Sequence, residues 1–431
     1  MSGAVAAHAA YNGSGTQGLA VTNKIHDDDG DVMSVFWNKN DTTRQLLYGS
    51  AVVEVPASGG SGTVTVGSNS SIIFDVNNDI DCLGDMFIKV SYKAGQGSSA
   101  LGREALAAAV GRVEVMVGTQ IWQTFEKEDL MALAATELSS GSFQDYTFQA
   151  SGGVETGNQF MNSVPNTTAN ISTGTERFAY VPLKMMTKTL TPRLENFAEQ
   201  SENGYLMAAA PHQQVKVKVF SDATFSDVAG TSASTLKFFL YAKNQVMCNE
   251  EREQIKAMPM GLPKRIKMTQ NKNQSVGTAI NTSEFDLDHF SLYASHIIIS
   301  FPSDNPNNNL STLLAGLNQT TAELLLNSSS YSSKLPLGLL KITGPSMGLY
   351  TNEYFINNGN TSRFITFVFP LASRAYGGSS VPLNRFDNIR LKLSFGSTAL
   401  YTSGTTSHVN VTCVGETTAL YKGGAASLAM Y

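Results

Sequence analysis

The sequence predicts an all-β protein built as two antiparallel β-sandwich domains in tandem. Three observations carry that expectation. Apolar residues recur with period two along many short segments, which buries one face of a strand and leaves the other wet. Stretches rich in Gly, Ser and Asn separate those segments, among them ASGGSGT (57–63), SDNPNNN (303–309) and SSSYSS (328–333). A pair of segments in the first half of the chain is also echoed in the second.

Taken in order, residues 1–25 are small, polar and patternless, and read as a flexible arm. DDDGD (27–31) lacks the spacing and the closing Glu of a calcium loop and reads as a solvated turn. FIKVSYK (87–93) and VEVMVG (113–118) follow; the second sets Val113, Val115 and Val117 on one face. EKEDLMALAATEL (126–138) breaks the pattern. Leu130, Leu133, Ala134 and Leu138 fall at helical spacing, and acids crowd its start, where the helix dipole favours them. QVKVKVF (214–220) returns to alternation, with Val215, Val217 and Val219 against Lys216 and Lys218. NEEREQIKAM (249–258) is a second short helix halted by Pro259. RFITFVF (363–369), IRLKLSF (389–395) and HVNVTCV (408–414) complete the strands. Strands never alternate regularly with long helices, which excludes a parallel α/β sheet.

The echo sets the domain division. RFAYVPL (177–183) is matched by RFITFVFPL (363–371), and each is followed by an alternating apolar/basic strand, VKVKVF or IRLKLSF. The expected organisation is an arm over 1–25, a first domain over 26–247, a helical linker over 248–259 and a second domain over 260–431.

Charged residues make up only 15% of the 431 positions, against roughly 25% in ordinary domains. A surface made of Ser, Thr, Asn and Gln is easily buried against copies of itself. Net charge is -5, and PKRIK (263–267) is the densest basic stretch, so no direct nucleic-acid binding is expected. Cys82, Cys248 and Cys413 are odd in number and far apart, which predicts free thiols in a reducing compartment. MSGAVAAHAA has neither the charge nor the apolar core of a signal peptide, and no run approaches the roughly 18 apolar residues of a membrane span. The twelve N-x-S/T sequons are what a chain this rich in Asn, Ser and Thr produces by chance.

One motif suggests chemistry. Gly344-Pro345-Ser346-Met347-Gly348 matches the G-x-S-x-G nucleophile elbow, and Asp387 and His408 follow in the order of α/β-hydrolases. Such an elbow needs a strand entering and a helix leaving. LGLLKIT (337–343) can serve as the strand, but LYTNEYFINNGN (349–360) is no helix. Ser346, Asp387 and His408 are therefore not expected to form a triad, and GPSMG is expected in a loop.

The histidines at 8, 26, 212, 289, 296 and 408 show no metal spacing; His289 and His296 would face opposite sides of a straight strand. Trp37 and Trp122 read as core residues. No catalytic, cofactor-binding or metal-binding residue is expected. Two function classes remain: an assembly protein, or a carbohydrate-binding or glycan-cleaving double β-sandwich. The second requires a cleft with paired carboxylates, and no such pair stands out.

Several segments together resemble the double jelly-roll major capsid proteins of eukaryotic large and medium-sized double-stranded DNA viruses. They are VEVMVGTQIWQTFEKEDLMAL (113–133), RFAYVPLKMM (177–186), HQQVKVKVF (212–220), FFLYAKNQVMCNEEREQIKAMP (238–259) and FPLASRAYGGSSVPLNRFDNIRLKLSF (369–395). The last holds an Asn-rich strand entry from Asn384 to Asn388. The ending, TTALYKGGAASLAMY, departs from the family's usual closing motif. The resemblance implies two consecutive eight-stranded antiparallel jelly-roll β-sandwiches with a few short helices. It implies a homotrimer of nearly hexagonal outline that meets neighbouring capsomers, minor capsid proteins and penton proteins in an icosahedral virion shell assembled inside the host cell. It implies no enzyme, and gives Asp387 and Asn388 a turn-forming role. Penton and minor capsid proteins usually carry one jelly roll, and the duplicated pattern argues against that reading.

Overall fold

The computed structural model describes residues 24–26, 32–34, 49–65, 69–76, 80–93, 105–138, 176–183, 205–223, 235–246, 252–253, 262–276, 282–302, 317, 319–346, 364–371, 380–395 and 408–429. A hairpin of β1 (Lys24–His26) and β2 (Val32–Ser34) comes first. The expected arm boundary at residue 25 thus falls inside a strand; residues 1–23 lie outside the described residues.

The first sandwich contains β3 (Gly49–Val55), β4 (Thr63–Thr65), β5 (Ser71–Val76), β6 (Cys82–Lys93), α1 (Ala105–Ala108), β7 (Val110–Val117), β8 (Gln120–Glu126), α2 (Lys127–Glu137), β9 (Glu176–Leu183), β10 (Tyr205–Leu206), β11 (Val215–Ser221) and β12 (Thr235–Val246). β3 and β4 succeed each other along one edge of β12, and β9 and β10 along one edge of β6. With each such pair taken as one position, eight positions form two antiparallel sheets. Their orders are 1-8-3-6 (β3/β4, β12, β6, β9/β10) and 2-7-4-5 (β5, β11, β7, β8).

The second sandwich contains β13 (Leu262–Ser275), β14 (Thr282–Asp286), β15 (Tyr293–Pro302), β16 (Thr321–Leu326), β17 (Ser329–Ser330), β18 (Leu335–Pro336), α3 (Leu337–Ser346), β19 (Phe364–Pro370), β20 (Val381–Pro382), β21 (Ile389–Ser394), β22 (His408–Lys422) and β23 (Ala425–Ala429). β17 and β18 share one edge of β16, and β19 and β20 one edge of β15. The orders are again 1-8-3-6 (β13, β22, β15, β19/β20) and 2-7-4-5 (β14, β21, β16, β17/β18). Each sandwich is an eight-position jelly roll, as expected.

The sequence echo is this duplication. RFAYVPL and RFITFVFPL are position 6 of the two jelly rolls, and VKVKVF and IRLKLSF are position 7. A 3-10 turn separates the two positions in both, at Met207–Ala209 and Leu383–Arg385. Alternation works as the pattern demands: Val215, Val217 and Val219 are fully buried, as are Ile389, Leu391 and Leu393.

Two elements depart from the sequence reading. LGLLKIT, read as a strand, forms α3, which closes on Gly344, Pro345 and Ser346 rather than leaving them in a loop. The run is too short for period alone to separate helix from strand, and burial of Leu337 and Leu340 three apart suits the helix. The last strand pair, assigned to the second domain, is shared. Ala419, Tyr421 and Ala426 pack in the first jelly roll's core. A two-residue loop makes that hairpin: Gly423 and Gly424 have φ of 61° and 75°, the type I′ geometry that side chains resist. The His212 amide donates to the Gly424 carbonyl (3.0 Å), and the Ala426 amide to Gln213 Oε1 (2.7 Å). Of the expected linker, only Arg252 and Glu253 are described, both helical. Arg252 grips Asp81 with two bonds of 2.7 Å, so this piece is tied to the first jelly roll.

Candidate functional site

The hydrolase constellation is not assembled. His408 opens β22 and bonds Ser275 Oγ (3.2 Å) at the end of β13; two residues on, Asn410 pairs Ser300 near the end of β15. Asp387 stands before β21, at the end where the Leu287 amide reaches the Ile389 carbonyl and the Leu383 amide the Leu292 carbonyl, next to the start of β15. The length of β15 separates the two ends, roughly 20 Å at about 3.3 Å per residue. Ser346 ends a helix, where no elbow forms.

Asp387 and Asn388 are instead held as a turn. Their amides both donate to Asn327 Oδ1 (2.9 and 3.3 Å), and the Ile389 amide donates to Asp288 Oδ1 (2.6 Å). His289 lies in the turn before β15 with Nε2 2.9 Å from the Asn271 carbonyl, His296 is buried on β15, and His212 is exposed. His26 belongs to β1; His8, Trp37 and Cys248 lie outside the described residues. Among the described residues no group of His, Cys, Asp or Glu side chains is placed to hold a metal. Trp122 is buried edge-on to Tyr205 (5.4 Å), which in turn meets Tyr421 (5.5 Å) of the closing hairpin. Cys82 and Cys413 are buried, and burial pushes the Cys413 thiol far above its ordinary value. Among the described residues no helix is long and apolar enough to cross a membrane.

What the fold does assemble is a polar seam between the jelly rolls, centred on α2. Asp129 to Thr136 are all buried, because one face of α2 rests on its own sandwich and the other on the outer face of β15, β19 and β22. Asp129 is the centre. Its Oδ1 accepts from Thr412 Oγ1 (2.6 Å) and Asn410 Nδ2 (3.0 Å); its Oδ2 accepts from the Glu126 amide (2.9 Å), which caps the helix, and from Asn271 Nδ2. Burial raises the Asp129 carboxyl above the ordinary range, and these donors, led by Thr412 and Asn410, oppose that rise. Beside it, Gln123 pairs with Thr269 as a strand would: the Thr269 amide donates to Oε1 (3.0 Å), and Nε2 donates to the Thr269 carbonyl (2.7 Å) and Oγ1 (2.6 Å). Lys267, 2% exposed, bonds the Glu137 carboxylate. Apolar contact continues through Ile298 and Val414, which pack with the first core.

Buried polar groups of this kind are costly when unmatched, so the network admits one register of the two jelly rolls. From local pattern alone, Asp129 is one of the acids at the helix start. Its partners lie 142, 281 and 283 residues away, beyond the reach of any local pattern.

No family model matches the chain, and no curated protein sequence matches it. Solved structures do. PBCV-1 VP54, as fitted into a reconstruction of the virophage Sputnik, superposes with a TM-score of 0.65 at 14% identity, over 89% of this chain and 97% of that one. A chain of the PBCV-1 virus capsid gives 0.63 at 13%, over 89% and 97%. The chain has the double jelly-roll fold. The Faustovirus major capsid protein agrees, at 0.55 and 10% identity over 86% and 90%. These matches cover most of the chain rather than one domain of it.

Proposed function

We propose that this double jelly roll is the major capsid protein of an icosahedral double-stranded DNA virus, working as a homotrimeric capsomer of nearly hexagonal outline. The observation that carries the reading is the exact repeat of strand order in two jelly rolls fixed to each other by a buried seam. Three such chains offer six similar walls around one axis, and six walls tile a surface. Cyclic closure keeps the assembly from growing into open filaments. A surface with few charges lowers the desolvation cost of burying the flanks. Neighbouring capsomers, minor capsid proteins and penton proteins are the partners of such a unit in the virion. The protein does no covalent chemistry in this reading, and a fluorophosphonate probe is expected to leave Ser346 unlabelled.

The test is the particle itself. Mass measurement in solution is expected to give three times the 46.2 kDa of the chain, and negative-stain images six-lobed top views. A single chain at every concentration would overturn the proposal.

A further inference from the structure

We propose that the aromatic outer face of the first jelly roll's 1-8-3-6 sheet is the docking surface for α3 of a second copy of this chain. The inference rests on the trimer reading and assigns the contact that closes it.

It starts from an equivalence. α2 follows position 5 of the first jelly roll and precedes position 6; α3 does the same in the second. Each lies against its own position-6 strand, α2 on β9 and α3 on β19. α2 also reaches across to positions 3, 6 and 8 of the other jelly roll, β15, β19 and β22. The outward residues there, Ser300, Thr366, Val368, Asn410, Thr412 and Val414, are buried.

The same face of the first jelly roll is different. Phe87 and Lys89 on β6, Phe178 and Tyr180 on β9, and Phe239 and Tyr241 on β12 point away from the core and are only half-buried. Their rings form one surface: Phe178 and Tyr180 are 5.8 Å apart, Tyr180 and Tyr241 6.3 Å, and Lys89 Nζ sits over Phe178 (4.9 Å) and Phe239 (5.5 Å). An outward sheet face this aromatic is what an interface core looks like. Meanwhile α3 leaves Leu339 40% exposed, although Leu337 and Leu340 on either side are buried.

Chemistry then matches helix to face. α2 carries Asp129, which needs the Asn271, Asn410 and Thr412 donors and would be stranded on rings. α3 has no acid in its first turn and reads LGLLKIT, which suits an aromatic floor. The two contacts are equivalent in topology but not interchangeable. A ring of jelly rolls therefore alternates a contact centred on a buried carboxyl within each chain and one centred on aromatic rings and Lys89 between chains, a heterologous arrangement that closes.

The test uses the full chain. Leu339→Asp and Tyr180→Asp are each expected to keep the wild-type circular dichroism yet sediment as single chains at concentrations where the wild type is a trimer. A second measurement covers a variant that fails to fold. Chains carrying only Leu339→Cys and chains carrying only Tyr241→Cys are mixed during assembly and treated with a short bismaleimide. A linked pair is expected only when both are present. If both Asp variants remain trimers and no mixed pair forms, the surface is wrongly assigned while the trimer stands. If the wild type never exceeds a single chain, both proposals fall together.

Discussion

Position by position, the two jelly rolls solve the same problems with different residues. In both, the strands at positions 8 and 3 slip out of register beside a glycine. In the first, β12 slips between Ala242 and Asn244, and the glycine is Gly84 on β6, where an added Cβ would stand 3.3 Å from the Lys243 carbonyl oxygen. In the second, β15 slips between Ala294 and His296, and the glycine is Gly415 on β22. A Cβ there would meet the Tyr293 carbonyl oxygen at 2.6 Å, Leu292 Cβ at 2.9 Å and Ala294 Cα at 3.0 Å. The bulge recurs, the strand that supplies the glycine changes, and the second site is far tighter. Shared topology here fixes where the backbone must bend and puts the extra residue on the position-3 strand both times, and leaves open which strand supplies the glycine.

The seam is the sharpest place to break the pair apart. Asp129→Ala removes the acceptor for four donors, and leaving buried polar groups unmatched is expected to cost about 3–5 kcal/mol. Hydrogen exchange is expected to rise first at the Asn410–Thr412 amides, with the interior of the first jelly roll still protected. Loss of protection throughout the chain at once would instead make the two jelly rolls one folding unit. Asp129→Asn adds a pH readout. Because burial raises the carboxyl above its ordinary 3.8, the folded state resists ionisation. Wild-type stability from this group is fullest below that value and is lost as pH climbs through the raised one. Denaturant midpoints of wild type and variant should therefore move in the variant's favour on going from acid to neutral pH.

The glycines come next. Gly415→Ala is expected to destabilise by about 3 kcal/mol, since backbone atoms on the facing strand must shift. Gly84→Ala, tight against one carbonyl oxygen but short of a clash, is expected to cost about 1 kcal/mol. Thermal unfolding of the two variants side by side measures the difference; equal effects would mean that the bulges are equally tight.

Much of this was legible in the chain, and the reasons are local. Alternation in VKVKVF and IRLKLSF marks strands with one wet face, and both are strands. The echo of RFAYVPL in RFITFVFPL survives because position 6 turns alternate residues into the core of its own jelly roll in each case. What could not be read depends on contacts between distant segments. The stripe of Leu130, Leu133 and Ala134 predicted one buried face for α2, yet the helix is buried all round because a second jelly roll lies on its other side. LGLLKIT is equally apolar as strand or helix, and only its place beside β19 decides. The closing hairpin looks like any other pair of strands; its return to the first jelly roll rests on Gln213, His212 and Tyr205, far back in the sequence.

The smallest effect probes a turn common to both jelly rolls. The hairpin between positions 4 and 5 has a two-residue loop in each, Gly118-Thr119 between Val117 and Gln120, and Asn327-Ser328 between Leu326 and Ser329. The first loop residue has positive φ in both, 61° at Gly118 and 50° at Asn327. Its amide donates to the carbonyl just before position 7 in both, Gln214 at 2.9 Å and Asn388 at 2.8 Å. Asn327 does one thing Gly118 cannot: its side chain also accepts the Asp387 and Asn388 amides. Asn327→Gly keeps the backbone geometry and loses only those two bonds, both at an exposed turn, so a cost of about 0.5–1 kcal/mol is expected. Asn327→Ala loses the bonds and meets the positive-φ penalty as well, for about 2 kcal/mol in all. Gly118→Ala meets the penalty alone, about 1 kcal/mol, and Gly118→Asn less, since Asn tolerates that conformation. Thermal unfolding of the four variants should return that order. Equal losses for Asn327→Gly and Asn327→Ala would assign the turn to its side-chain bonds alone, and equal losses for Gly118→Ala and Gly118→Asn would remove the special fitness of Asn at this site.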